Sequence, residues 1–151
     1  MAPSKGAMQC RVALAITGAL VGVIALFAFG AGLKNYHSAA WGGVSAVFAS
    51  VVLFLHIQHL KDWWGRCYHS LSYFEILGFV VMLGCIPALG VYLSLAIVQH
   101  QGITPIASPY GYYVTCVWVF MTWKWSLALF LYSRSYKRLY DDEYILPPFT
   151  D

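Results

Sequence analysis

Two histidines, His56 and His59, stand three residues apart near the end of a run without formal charge that extends from Ala39 to Leu60. An ionisable side chain at that depth in a bilayer is costly to insert and marks a functional site by default. Elsewhere lie His37 and His100, and two tyrosines, Tyr132 and Tyr136, spaced one helical turn apart. Imidazole and phenolate are both ligands of haem iron, imidazole also suits zinc or copper, and any histidine can carry protons. The residue types alone do not choose among these chemistries.

The elements that must position these groups follow from composition. The 151 residues are 60% hydrophobic and only 10% charged, where soluble domains carry about a quarter charged residues. This implies an integral membrane protein. About 20 apolar residues cross the hydrocarbon core as a helix, and four runs meet that length. They predict an all-α fold with transmembrane helices at about 12–33, 39–60, 74–98 and 112–133, a short segment 1–11 before them and a tail, 134–151, after them. Gly18 and Gly22, with the small residues Gly42, Gly43, Ala46, Ala49 and Ser50, give the first two helices close-packing faces. Pro87 falls inside the third. Lys124 interrupts the fourth, flanked by Trp123 and Trp125, and is expected to face the bundle or to snorkel.

Lys and Arg counts fix the orientation. Lys5, Arg11, Lys61, Arg66, Arg134, Lys137 and Arg138 fall on one side, against Lys34 on the other. The positive-inside rule therefore places both termini in the cytosol, with His56 and His59 in the cytosolic third of the second helix and His37 and His100 on the far face. Cys10, Cys67, Cys85 and Cys116 are scattered without the spacing of a zinc site or a disulfide framework. No hydrolytic or phosphate-cradling motif is present, so an enzyme is not expected. The basic residues are too sparse for a nucleic-acid surface.

The run from Tyr112 to Trp125 reads Tyr-Tyr-Val-Thr-Cys-Val-Trp-Val-Phe-Met-Thr-Trp-Lys-Trp. It resembles the last helix of the haem-responsive-gene haem transporters, solute carrier family 48, whose pattern there is Tyr-Tyr-x-x-Cys-Val-Trp-x-Phe followed by Lys-Trp. His56, followed by Asp62 and Trp64, resembles the family's second helix, and the Met1-Ala2-Pro3-Ser4 start and the terminal Ile145, Leu146 and Phe149 resemble some members. The resemblance covers essentially the whole chain. It implies haem as the transported substrate, moved from the exterior or an endolysosomal lumen into the cytosol, with His56 and His100 as axial iron ligands. It also implies a cytosolic contact at Tyr132-Ser133-Arg134-Ser135-Tyr136, which departs from the family's Phe-Ala-Arg-Lys-Tyr at several positions.

Lys124 is a candidate partner for a haem propionate, and His59 a further candidate contact. His56 and His59 cannot be the two axial ligands of one haem, because residues three apart project from the same side of a helix. A homodimer or other homo-oligomer is expected, since four helices leave little room for a porphyrin. Tyr136-x-x-Leu139 and the acidic Asp141-to-Leu146 stretch fit signals read by cytosolic sorting adaptors, which with the family implies endosomal, lysosomal and plasma membranes. The competing reading is a small four-helix accessory protein that binds no ligand and assists the trafficking of another membrane protein.

Overall fold

The computed structural model describes residues 5–61, 64–102 and 111–141. The Met1-to-Ser4 start, Asp62, the stretch from Asp142 onward and the terminal Ile145, Leu146 and Phe149 lie outside the described residues. Four helices are long and apolar enough to cross a membrane: α1, Lys5–Phe27; α2, Tyr36–Leu60; α3, Trp64–Val98; and α4, Tyr112–Tyr140. The protein is thus an all-α, four-span membrane protein. Successive helices run in opposite directions, so Lys5 at the start of α1 and Tyr140 at the end of α4 lie at one face.

The helices are longer than the hydropathic runs. The first begins at Lys5 rather than near residue 12, the third at Trp64 rather than near 74, and the fourth continues to Tyr140, so the start of the polar tail is helical. Hydropathy marks the crossing, whereas a helix persists wherever its extension finds partners. Here the extensions of α3 and α4 hold each other. The Tyr68 hydroxyl donates to Asp141 Oδ1 at 2.6 Å, Lys137 Nζ donates to Ser72 Oγ at 2.9 Å, and the rings of Tyr68 and Tyr140 lie 4.8 Å apart.

Between α1 and α2 the chain leaves the membrane through one wide π-type turn, Ala28–Gly32, and reverses at Lys34, whose φ is +54°. Asn35 starts the next helix. Its side chain accepts from the Ser38 amide at 3.0 Å, satisfying one of the open donors at the α2 N-terminus. The α3 helix runs through Pro87 without a break in its helical span.

Packing depends on small residues. A Cβ added at Gly22 would come 2.8 Å from the Ala46 amide and the Gly42 carbonyl, which brings the α1 and α2 backbones together. At Gly78 an added Cβ would stand 2.7 Å from the Phe130 amide, which does the same for α3 and α4. The buried side of α4 is Thr115, Val119, Thr122, Ser126, Leu129, Ser133 and Tyr136, an alternation of four and three that makes one continuous stripe. Contacts of Ser38 with Thr115, Trp41 with Thr122 and His56 with Tyr136 follow in the same order along both helices, so α2 and α4 run parallel. Much of this stripe is hydroxyl-bearing. Ser38 and Thr115 share a 2.9 Å hydrogen bond, and Thr122 Oγ1 donates to the Trp41 carbonyl at 3.2 Å. Such interhelical bonds contribute about 0.6 kcal/mol each on average in a membrane. The opposite faces are apolar and exposed, with Leu20 60%, Ile24 65% and Ile86 59% accessible, as suits contact with lipid.

Candidate functional site

The end of the α2·α4 stripe nearest the start of α1 and the end of α4 is where the chemistry collects. His56 is 1% exposed, on the α2 face that also buries Ser45, Ala49 and Val52. Its Nδ1 lies 2.8 Å from the Tyr136 hydroxyl, which is the last member of the α4 stripe. The Tyr136 hydroxyl also lies 3.9 Å from Met8 Sδ of α1 and is hydrogen-bonded by Arg11. In the tautomer in which Nδ1–H of His56 donates to the Tyr136 oxygen, the ring's lone pair resides on Nε2. A hydrogen bond of this kind on the far nitrogen is what fixes the tautomer and ring orientation of metal-binding histidines. Tyr132, one turn earlier, meets the His56 ring edge-on at 4.7 Å, and His59 stacks on Tyr136 at 4.5 Å with the planes 15° apart.

These groups border a cavity of about 220 Å³ between α1, α2 and α4. Val52 and His56 line it from α2, and Lys124, Trp125, Ala128 and Tyr132 from α4, with Arg11 and Leu14 opposite on α1. Two cations thus face a site with no carboxylate among its described lining residues. The Arg11 guanidinium lies 5.0 Å from the Tyr132 ring centre and the Lys124 ammonium 4.6 Å from that of Trp125. Lys124 is exposed at the rim, with its head folded back over the indole. Trp125 itself is 6% exposed, pressed against Gly18, and its Nε1–H has no hydrogen-bond partner.

Among the described residues no three His, Cys, Asp or Glu side chains come together. What the cavity offers is one imidazole, one phenol and two cations. That is a donor set for a large, partly anionic, metal-bearing ring rather than a cage for a bare ion.

Comparison with known proteins meets this geometry. A family model described as haem-transporter, endosomal/lysosomal, haem-responsive gene matches residues 71–125, which span most of α3, the outer connection and the first half of α4. The Caenorhabditis elegans protein named heme transporter hrg-1 is 25% identical over 138 residues, covering 86% of this chain and 68% of its own. The chain is thus similar to haem transporters of the haem-responsive-gene family. No solved structure matches it.

Set against the family's residues, the structure brings His56, His59, Tyr132 and Tyr136 together and adds Lys124 at the rim. It does not bring in Arg134 or His100. Arg134 is exposed, with its guanidinium 6.0 Å from the Phe130 ring centre. Two residues beyond Tyr132 is about 200° around a helix, which turns Arg134 to the other face. His100 is exposed just past the C-terminus of α3, in a left-handed conformation with φ +49°, at the opposite end of the bundle from His56.

Arg11 takes the place expected of Arg134, and sequence reasoning missed it. Its signal was available: a charge seven residues into a membrane helix, on the turn after Met8. Also missed was a cluster at the outer mouth, where Tyr92 Oη receives Trp41 Nε1–H at 3.3 Å and lies 3.2 Å from His37 Nδ1. Tyr112 packs 6.0 Å from both the His37 and Tyr92 rings. The protein therefore holds imidazoles at both ends of α2, about 28 Å apart along the axis at 1.5 Å per residue.

Proposed function

We propose that this protein carries haem through the membrane from the exterior or an endolysosomal lumen to the cytosol, with His56 Nε2 as the iron ligand at the inner site. The observation that carries the reading is the buried His56–Tyr136 pair opening on a cavity edged by Arg11 and Lys124. A phenol holds the ring, so the outward nitrogen is aimed before any ligand arrives. The rings of Tyr132 and Trp125 supply contact surface for a flat macrocycle. Lys124 supplies a countercharge for a propionate.

The cavity's 220 Å³ is smaller than the roughly 300–1,000 Å³ of ordinary small-molecule pockets. A porphyrin therefore enters only as α1 and α4 part. His100 and His37 stand where haem would first arrive on the outer face. A homo-oligomer, most simply a dimer, would use the exposed apolar faces of α1 or α3, because the small residues of α1 and α2 are occupied within the chain. Residence in endosomal and lysosomal membranes fits the description of the matching family model, with the plasma membrane as a further address. Sorting adaptors would read the acidic stretch from Asp141 rather than Tyr136-x-x-Leu139, since Tyr136 is 1% exposed.

The test is haem uptake into proteoliposomes of defined orientation. The wild-type chain is expected to move haem toward the side bearing the termini, and His56→Ala to abolish it. Movement only from the tail side would overturn the direction, and full uptake by His56→Ala would remove His56 from the site.

A further inference from the structure

Two cations reach the inner cavity from different helices, Arg11 from α1 and Lys124 from the α4 rim, and no carboxylate lies among its described lining residues. A cation partway across a membrane is costly unless it meets an opposite charge. Arg11 hydrogen-bonds the neutral Tyr136 side chain, and cation–π contacts hold both cations in position, but none of these neutralises them. A site that sets two such cations around an aromatic-lined space suits a ligand that brings its own anions.

We infer that Arg11 and Lys124 form a carboxylate clamp, so that the cavity selects tetrapyrroles by their two acidic side arms as well as by their metal. The inference rests on the haem reading above and deepens it. His56 addresses the centre of the macrocycle, and the clamp addresses its edge. Arg11 and Lys124 reach the cavity from helices on opposite sides, so two carboxylates on one edge of a ligand can each meet one cation. Arg11 suits this role because its planar fork matches a carboxylate in two parallel bonds. The ligand class is then broader than haem in one respect, because a metal-free dicarboxylic porphyrin keeps the clamp contacts. It is narrower in another, because a haem with both acids esterified loses them.

The experiment uses the full chain in nanodiscs of zwitterionic lipid, titrated with hemin, hemin dimethyl ester and metal-free protoporphyrin IX. Binding is read by absorbance and by quenching of tryptophan fluorescence. The wild-type protein is expected to bind hemin about 10- to 100-fold more tightly than the ester, the range of a charge-assisted hydrogen bond or two. Arg11→Gln and Lys124→Gln should each weaken hemin and protoporphyrin while leaving the ester unchanged. The unchanged ester affinity also shows that the variants are folded. Equal wild-type affinity for hemin and ester, or variants that weaken both alike, would overturn the clamp and leave the haem reading standing. No spectral response to hemin by the wild-type protein would remove that reading and the clamp with it. If added phosphatidylserine abolished the preference, the cations would be lipid anchors and the clamp would fall.

Discussion

Tyr136→Phe tests whether Tyr136 acts through His56 or touches haem itself. The substitution removes one oxygen and leaves the ring, its stacking on His59 and the helix unchanged. What is lost is the 2.8 Å partner of His56 Nδ1, at a histidine only 1% exposed. No bulk water can replace that partner, so the cost is that of an unmet buried donor, about 1–3 kcal/mol. Where the lost bond also aims a metal ligand, affinity falls by about 10- to 100-fold. The assay is a hemin titration in nanodiscs, run on wild type, Tyr136→Phe, His56→Ala and the double variant. Tyr136→Phe should weaken hemin by about 10- to 100-fold in the wild-type background and by nothing further in the His56→Ala background. The same loss in both backgrounds would mean that Tyr136 meets haem directly, and the positioning argument would be wrong. An unchanged affinity would mean that the hydrogen bond does not orient the ring.

Other substitutions separate cavity from scaffold. Gly18→Ala places a methyl into the Trp125 indole, which must shift toward the cavity; hemin affinity should fall about tenfold, near the low end of the 1–3 kcal/mol expected of overpacking, as read by the same titration. Gly78→Ala pushes a methyl onto the α4 backbone at Phe130; melting of the detergent-solubilised protein should show a loss of about 1–3 kcal/mol. Arg134→Ala, at an exposed site away from His56, should change hemin affinity less than about twofold, within the ±0.5 kcal/mol usual for surface positions; a larger loss would return Arg134 to the site.

Much of the site was legible because depth and residue type agreed. A histidine near the end of an uncharged run is rare enough to notice, and the four-residue spacing of Tyr132 and Tyr136 puts them on one helical face. Arg11 was harder to see because a cation near a membrane surface has an ordinary explanation as an anchor. Only the fold shows that it shares a cavity with His56. The α4 stripe was hidden differently: Thr115, Thr122, Ser126 and Ser133 lower the hydropathy of a helix without saying which way they face. The outer cluster joins residues from α2, α3 and α4, and no local pattern announces such a meeting. The Tyr136-x-x-Leu139 signal was legible but misleading, since a short motif carries no record of burial. The helix ends were misjudged because a water-exposed turn held by Tyr68, Asp141 and Lys137 looks, as sequence, like a loop or a tail.

The parallel contact of α2 with α4 has a consequence for how cargo moves. Hydroxyls 2.9 Å apart leave no gap that a macrocycle could slip through, so these two helices form a fixed mast and His56 is bolted to it. With His56 as the proposed iron ligand, haem would travel along the mast's flank, on the side where α1 faces α4 across the cavity, with Leu14 and Lys124 exposed at the rim. One wall of that lane is lipid. Acyl-chain order and bilayer thickness therefore become part of the transport machinery, and the same protein should run at different speeds in membranes of different stiffness.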